Sequence, residues 1–331
     1  MGAGGIALLT EREDIEVCRF PPQISPADFN ILLRSRPEVC GVILGLTAFG
    51  RVECASAPGV QVVSRTGVGY DTIDLQILTQ RRVPVFTVGT ANASAVAEQA
   101  LHFMIALAKR GAELHAMVQS GRWQERLSAI PVDLAGKIAL IIGYGRIGSR
   151  VARRCLAMEM HVHVYDPYVL IERILADGCS AVADLGIGLQ QADFVTVHCP
   201  KSPETIGMLD ASRLKLMKSS AILINTARGG IVSETALYAA LTNGTIWGAG
   251  LDVFDNEPPD IDNPLLKLRN VITSPHMAGM TSESIERMAT RAAQNVLDML
   301  DGHPCFEHLV NPNALRPPTA TSILSKADRS P

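Results

Sequence analysis

Three side chains that lie far apart in the chain have the types needed to hold a carboxylate and move a proton beside it: Arg228, Glu257 and His276. Each follows a short apolar run. Arg228 stands in Asn225-Thr226-Ala227-Arg228-Gly229-Gly230, Glu257 in Asp252-Val253-Phe254-Asp255-Asn256-Glu257-Pro258-Pro259, and His276 in Ser274-Pro275-His276-Met277-Ala278-Gly279. Oxidising an alcohol to a ketone requires a hydride acceptor and a base for the hydroxyl proton; the reverse requires the matching acid. Imidazole changes charge near neutral pH, so His276 suits that role. A carboxylate next to it favours the imidazolium. The guanidinium of Arg228 is a planar fork for a carboxylate and polarises an adjacent carbonyl. Taken singly, each residue also has a plainer reading: a surface arginine before a Gly-Gly turn, a solvated acid before two prolines, a histidine capping a turn.

The hydride carrier has its own signature. Gly143-Tyr144-Gly145-Arg146-Ile147-Gly148 follows the apolar run Ile138–Ile142 and opens a helical pattern. Gly143 permits the tight turn, Gly145 lets a pyrophosphate approach the backbone, and Gly148 lets helix and strand pack closely. The phosphates are expected at the helix N-terminus, on Arg146, Ile147 and their neighbours, where free N–H groups and the helix dipole favour negative charge. The next apolar run, His161–Tyr165, ends at Asp166, eighteen positions after Gly148. A carboxylate there accepts the ribose hydroxyls of NAD and repels the 2′-phosphate of NADP.

The elements that must position these groups alternate between strand and helix. Ile6–Leu9, Val42–Leu44, Val60–Ser64 and Val83–Val88 read as strands, with a helix over Asp71–Arg82. The runs Ile138–Ile142, His161–Tyr165, Asp193–Cys199, Ala221–Thr226, Trp247–Val253 and Val271–Ser274 read as a second set of strands. Helices fit between them at Ile147–Met158, Ala211–Met217 and Ser233–Thr242. Such alternation predicts two doubly wound parallel sheets, in which ligands meet the carboxyl ends of the strands. Two long helices, Ala95–Ser120 and Ser282–Leu300, connect the halves. The expected organisation is an α/β chain with an interdomain cleft. A discontinuous flavodoxin-like substrate domain covers 1–100 and 286–331, and a Rossmann domain covers 101–285. The stretch from Asn311, rich in Pro, Ser and Thr, reads as a tail.

The bulk composition suits this picture. Of 331 residues, 47% are hydrophobic and 19% charged, enough for two cores. A net charge of −3 and the lack of a basic run argue against a nucleic-acid partner. No run approaches the ~20 apolar residues of a membrane span, and the N-terminus has no signal-peptide pattern. Seven cysteines without a CxxC pair read as reduced core residues of a cytoplasmic protein. His161 and His163 share a strand face but lack a third ligand, so no metal is expected.

The segments Gly143–Gly148 with Asp166, His198-Cys199-Pro200-Lys201-Ser202-Pro203-Glu204-Thr205, Asn225–Val232, Leu251–Pro259 and His276-Met277-Ala278-Gly279-Met280-Thr281 resemble the D-isomer-specific 2-hydroxyacid dehydrogenases over roughly Val42 to Asn311. The resemblance implies that Arg228, Glu257 and His276 are catalytic, that Asp252 contacts the nicotinamide carboxamide, and that Ala227 lies near the nicotinamide. It implies that Cys199, Pro200 and Thr205 line the adenosine and phosphate path, with Ala278 and Gly279 also at the cofactor. Ser64-Arg65-Thr66-Gly67-Val68-Gly69-Tyr70-Asp71 is similar to the family's carboxylate loop, with the Val68 and Gly69 N–H groups on the acid. Asn92 and Met104 match residues that line the site. Thr72, Gln99 and Glu159 depart from the family pattern, which favours Asn, His and Gly there. The Arg65 loop resembles the 3-phosphoglycerate dehydrogenase branch, and that resemblance implies that Arg65 helps hold the acid substrate. Glycerate, hydroxypyruvate or glyoxylate reductases and NAD-sensing corepressors are similar alternatives, and phosphite oxidation shares the trio. Formate dehydrogenases carry Gln where Glu257 stands. The resemblance further implies a homodimer through Ala95–Ser120 and the arm around Trp123. The chain ends soon after the return helix, so no regulatory domain is expected.

Overall fold

The computed structural model describes residues 2–315, and the chain divides into two compact units. One unit comprises the chain up to Asn92 and the stretch from Ser282 onward; the other is Ala93–Thr281. The expected boundaries at 100/101 and 285/286 fall inside helices that belong whole to one unit. A helix buries a continuous stripe against a single core, so the divisions come ahead of both helices. The predicted tail beyond Leu315 lies outside the described residues.

In the first unit, α1 (Ala3–Thr10), α2 (Pro26–Arg34), β1 (Gly41–Leu44), α3 (Arg51–Ser56), β2 (Val62–Arg65), α4 (Leu75–Gln80) and β3 (Val85–Phe86) follow in chain order. The strands form a parallel sheet ordered β1-β2-β3, with Leu44 opposite Arg65. Phe29, Leu44, Phe49, Val63, Leu78 and Val85 pack as its core. Ser25 and Asp74 start α2 and α4 by accepting the N–H groups of Asp28 and Ile77, satisfying donors that a helix end leaves bare. The helix expected over Asp71–Arg82 is therefore shorter at its start.

The second unit holds α5 (Ala93–Ala108), α6 (Gly111–Gln119), β4 (Ile138–Ile142), α7 (Gly148–Ala157), β5 (His161–Tyr165), α8 (Ile171–Ala176), β6 (Ser180–Ala181), α9 (Leu185–Gln191), β7 (Phe194–Val197), α10 (Ala211–Leu214), β8 (Ile222–Asn225), α11 (Glu234–Thr242), β9 (Gly248–Leu251) and β10 (Val271–Thr273). Its seven strands are parallel and ordered β10-β9-β8-β7-β4-β5-β6. The winding reverses between β4 and β7, the position where a doubly wound sheet opens a crevice for a ligand. Leu140, Val195 and Leu223 pack on one face, and Ile141, Phe194 and Ile224 on the other. The single helix expected over Ala95–Ser120 is two helices. Arg110 adopts φ 51°, in the left-handed region, and breaks the ladder before Gly111. Met104, expected to line the site, is fully buried in the core between α5 and the sheet. Glu159 adopts φ 61°, which accounts for the family's preference for glycine there.

The chain returns to the first unit through α12 (Ser282–Leu300). The strand expected at Ile6–Leu9 is α1, which lies on this helix. Four apolar residues do not distinguish strand from helix by period, and tertiary packing decides. A Cβ on Gly5 would stand 2.4 Å from the Ala289 carbonyl oxygen, so only glycine allows this approach. Leu9 packs on Ala293 and Leu297, and the Glu286 carboxylate accepts the N–H groups of Ala3 and Gly4, both at 2.9 Å. On the same helix the buried Asn295 donates to the Thr87 carbonyl at 2.9 Å and bonds His308 Nδ1 at 3.1 Å. All seven cysteines are free thiols; Cys54 is buried in the first unit, Cys155 and Cys179 in the second. Cys18 is exposed, which corrects its expected place in a core. Among the described residues no helix is long and apolar enough to cross a membrane.

Candidate active site

The sheet register of the second unit carries the predicted trio to one edge. Asn225 at the end of β8 is opposite Leu251 at the end of β9, which is opposite Thr273 at the end of β10. Arg228, Glu257 and His276 follow these three neighbouring strand ends, which span two strand spacings, about 10 Å. Glu257 and His276 meet directly: Glu257 Oε2 lies 2.6 Å from His276 Nδ1. The other carboxylate oxygen accepts the Phe254 N–H at 3.1 Å, so the acid is oriented from both ends. Both side chains are about one-third exposed, which leaves the pair accessible to a small molecule.

Backbone contacts lock the three loops together. His276 donates its N–H to the Asp252 carbonyl at 2.8 Å and adopts φ 54°, an uncommon conformation for a side chain of its size. The carboxylate of Asp252, 1% exposed, accepts the Met277 N–H at 2.8 Å, the Ala278 N–H at 2.9 Å and the Ser274 hydroxyl. Burial raises its pKa above the usual carboxylate range, against those hydrogen bonds. Asp252, whose nicotinamide contact is an expectation from the sequence, also anchors the loop that presents His276; Gly279 follows Ala278 in that loop. On the other side a Cβ on Gly229 would stand 1.8 Å from the Phe254 carbonyl oxygen, so the Arg228 turn is pressed against the Glu257 turn. Asn225 holds the Arg228 turn itself, accepting the Ala227 N–H and donating to the Arg228 carbonyl, both at 3.0 Å. Arg228 is half-buried and donates to the Ala227 carbonyl at 2.7 Å.

Glu234, at the start of α11, has a role here that the sequence reading does not reach. Its two carboxylate oxygens accept the Asp255 N–H at 2.6 Å and the Asn263 amide at 2.8 Å. It thereby ties the Glu257 turn to the helix that follows Arg228. An acid at the first helical position was the available signal, but its partners lie 21 and 29 residues away.

The glycine-rich turn occupies the switch point. A Cβ on Gly143, at φ 94°, would stand 2.6 Å from the Cys199 amide nitrogen, and one on Gly148 would stand 1.9 Å from the Gly143 carbonyl oxygen. Gly145 faces open space, with nothing within 4 Å of a Cβ there. The exposed Arg146 follows it. The Gly145 and Ile147 N–H groups have no protein acceptor among the described residues, as an anion site at this helix start requires. Asp166 accepts the Tyr144 N–H at 2.6 Å and the Tyr168 N–H at 2.9 Å. It therefore braces the turn before any ligand arrives, and each oxygen keeps a lone pair for a ribose hydroxyl. In the loop after β7 the Thr205 hydroxyl donates to the Pro200 carbonyl at 2.7 Å and accepts the Ser202 N–H at 2.8 Å. Burial pushes the Cys199 thiol up to about 11 and pulls His198 down to about 3. This open turn, its bare donors and the paired acid fit a dinucleotide such as NAD.

The first unit holds the predicted carboxylate loop. Arg65, 5% exposed, donates from Nε to the Gly69 carbonyl at 3.0 Å, so this guanidinium nitrogen shapes the loop. Among the described residues the Val68 and Gly69 N–H groups meet no acceptor. Asn92 Oδ1 is buried without a hydrogen-bond partner.

Residues 101–278 match the family profile described as the D-isomer specific 2-hydroxyacid dehydrogenase, NAD binding domain. A D-3-phosphoglycerate dehydrogenase of Archaeoglobus fulgidus is 40% identical over 262 residues, covering 79% of this chain and 49% of that protein. The chain spans about half the length of such curated relatives. A Thermus thermophilus protein of solved structure superposes with a TM-score of 0.82 at 33% identity, covering 93% of this chain and 97% of that one. A D-lactate dehydrogenase from Aquifex aeolicus, solved with NAD and lactic acid, gives 0.77 at 28% identity, with coverage of 84% and 89%.

Proposed function

Because the chain belongs to the D-isomer specific 2-hydroxyacid dehydrogenase family, we propose that it moves a hydride between NAD and C2 of a small D-2-hydroxy or 2-keto acid. The observation that carries this reading is the 2.6 Å pair of Glu257 and His276 on strand ends next to that of Arg228. NAD, when bound, supplies the hydride acceptor at its nicotinamide ring. The chain's own residues do the rest. The Val68 and Gly69 N–H groups take the substrate carboxylate, and Arg228 polarises the C2 oxygen. His276, oriented through Nδ1 by Glu257, uses Nε2 to remove the hydroxyl proton in oxidation and to return it in reduction. Such acid–base work is typically worth about 10²–10⁴-fold in rate. Gly143, Gly145, Arg146, Ile147 and Gly148 hold the pyrophosphate and Asp166 the adenosine ribose. Cys199, Pro200, Thr205, Ala227, Asp252, Ala278 and Gly279 line the cofactor's path, Arg65 shapes the substrate loop, and Asn92 aims its unpaired oxygen at substrate.

Within this class the reading favours 3-phosphoglycerate, supported by the Arg65 loop and by several relatives named D-3-phosphoglycerate dehydrogenase at 37–40% identity. The test follows NADH absorbance with phosphohydroxypyruvate, hydroxypyruvate, glyoxylate and pyruvate. Fastest turnover with the phosphorylated acid supports this assignment; preference for hydroxypyruvate moves it to the glycerate branch. No turnover with any keto acid, despite tight NADH binding, points to an NAD-sensing binding protein.

The same reading makes the protein a cytoplasmic homodimer, consistent with its free thiols. The arm after α6 exposes Trp123, Leu127 and Ile130, at 59%, 74% and 65%, apolar surface that a partner copy would cover. Light scattering behind gel filtration should give twice the chain mass for the native protein and a monomer for Leu127→Glu with Ile130→Glu. A native monomer refutes the dimer.

A further inference from the structure

We propose that Tyr168 and Glu204 form a clasp across the adenosine end of the cofactor crevice and gate the entry and exit of NAD. The inference rests on the cofactor reading above and adds two residues to it. The Tyr168 hydroxyl donates to Glu204 Oε2, joining the loop after β5 to the loop after β7. In the sheet these strands flank β4, in the order β7-β4-β5. All three are parallel, so both loops leave from the carboxyl end, about 10 Å apart. A bond between them therefore passes over the end of β4, and the chain that leaves β4 there is the Gly143–Gly148 turn.

Both ends of the clasp stand on ordered backbone. The Tyr168 N–H donates to Asp166 Oδ1 at 2.9 Å, the carboxylate that also braces the turn through the Tyr144 N–H. Glu204 precedes Thr205, whose hydroxyl is tied to Pro200 and Ser202. The Tyr168 ring is itself 77% exposed, so no core packing accounts for its position; the hydroxyl bond does. That bond also raises the phenol above its ordinary pKa. Side chains tied together over a crevice, and otherwise open to water, can part and re-form without disturbing the fold.

Stopped-flow NADH fluorescence on the full chain tests the clasp, using Tyr168→Phe, Glu204→Leu and the double variant. Tyr168→Phe removes the donor and Glu204→Leu removes the acceptor of a single bond. Both single variants should take up and release NADH about 3- to 10-fold faster, the range expected when one hydrogen bond is lost from a barrier. The double variant should match the singles, and the equilibrium Kd should stay within about twofold, because the gate closes over both free and bound forms. Rates equal to the native protein's, or singles whose effects multiply in the double variant, overturn the clasp and leave the cofactor reading standing. A native protein that gives no NADH signal at all overturns the cofactor reading, and the clasp with it.

Discussion

His276 has two constraints that a surface histidine lacks: a left-handed backbone and a ring nitrogen bound to a carboxylate. Strained conformations persist where surrounding contacts over-determine them, and here Asp252 supplies those contacts. His276→Ala should therefore lower kcat by about 10²–10⁴-fold while NADH still binds with native affinity. Retention of more than a tenth of native kcat would remove His276 from the proton transfer. Asp166→Ala should weaken NADH binding and narrow the preference over NADPH, as fluorescence titration with each cofactor will read; unchanged affinities refute its ribose role. The trio, the glycines and Asp166 were legible as residue types at telling positions. Asn225, Ser274 and Glu234 were not. Asn225 acts within its own turn, two and three residues ahead, while Ser274 and Glu234 bond segments 21 to 29 residues away; Asn, Ser and Glu at turns and helix starts are common for local reasons.

Elements were legible where the period was long or the run bounded, and illegible where packing overrode both. The seven-stranded sheet was read almost completely, except for β6, whose two residues give no alternation. α1 is illegible in the sequence because its apolar run has a place on α12 that no local pattern announces. The bend between α5 and α6 was hidden because the apolar spacing continues across Arg110. Glu159 gives a prediction at this scale. A left-handed backbone costs a side-chain-bearing residue about 1–2 kcal/mol, partly offset by the entropy glycine loses on folding. Glu159→Gly should raise stability by about 0.5–1 kcal/mol in urea unfolding without changing kcat. Gly229→Ala should lower activity. Its methyl cannot coexist with the Phe254 carbonyl, so the Arg228 and Glu257 turns must separate, and kcat should fall at least tenfold.

At the scale of the whole molecule, buried polar groups link stability to the solution. Burial pulls His198 down to about 3, and its Nδ1 is buried without a hydrogen-bond partner while Nε2 bonds Thr196 Oγ1 at 2.8 Å. The unfolded imidazole takes its proton near pH 6.5, whereas the folded one resists until about 3. Between those values the unfolded chain binds more protons, so stability falls as pH drops below about 6.5, by up to ~1.4 kcal/mol per pH unit. His198→Gln should flatten that slope in denaturant midpoints measured from pH 7 to 5; an unchanged slope assigns it to other groups.

The buried thiols give each unit its own clock. Cys54 lies in the core of the first unit and Cys155 in that of the second, where burial pushes the latter's thiol up to about 12. Only the thiolate reacts with an alkylating reagent, so neither side chain is modified until its own core opens. Pulse labelling read by peptide mass will therefore time the loosening of the two halves separately, with Cys18 labelling at once as the internal standard.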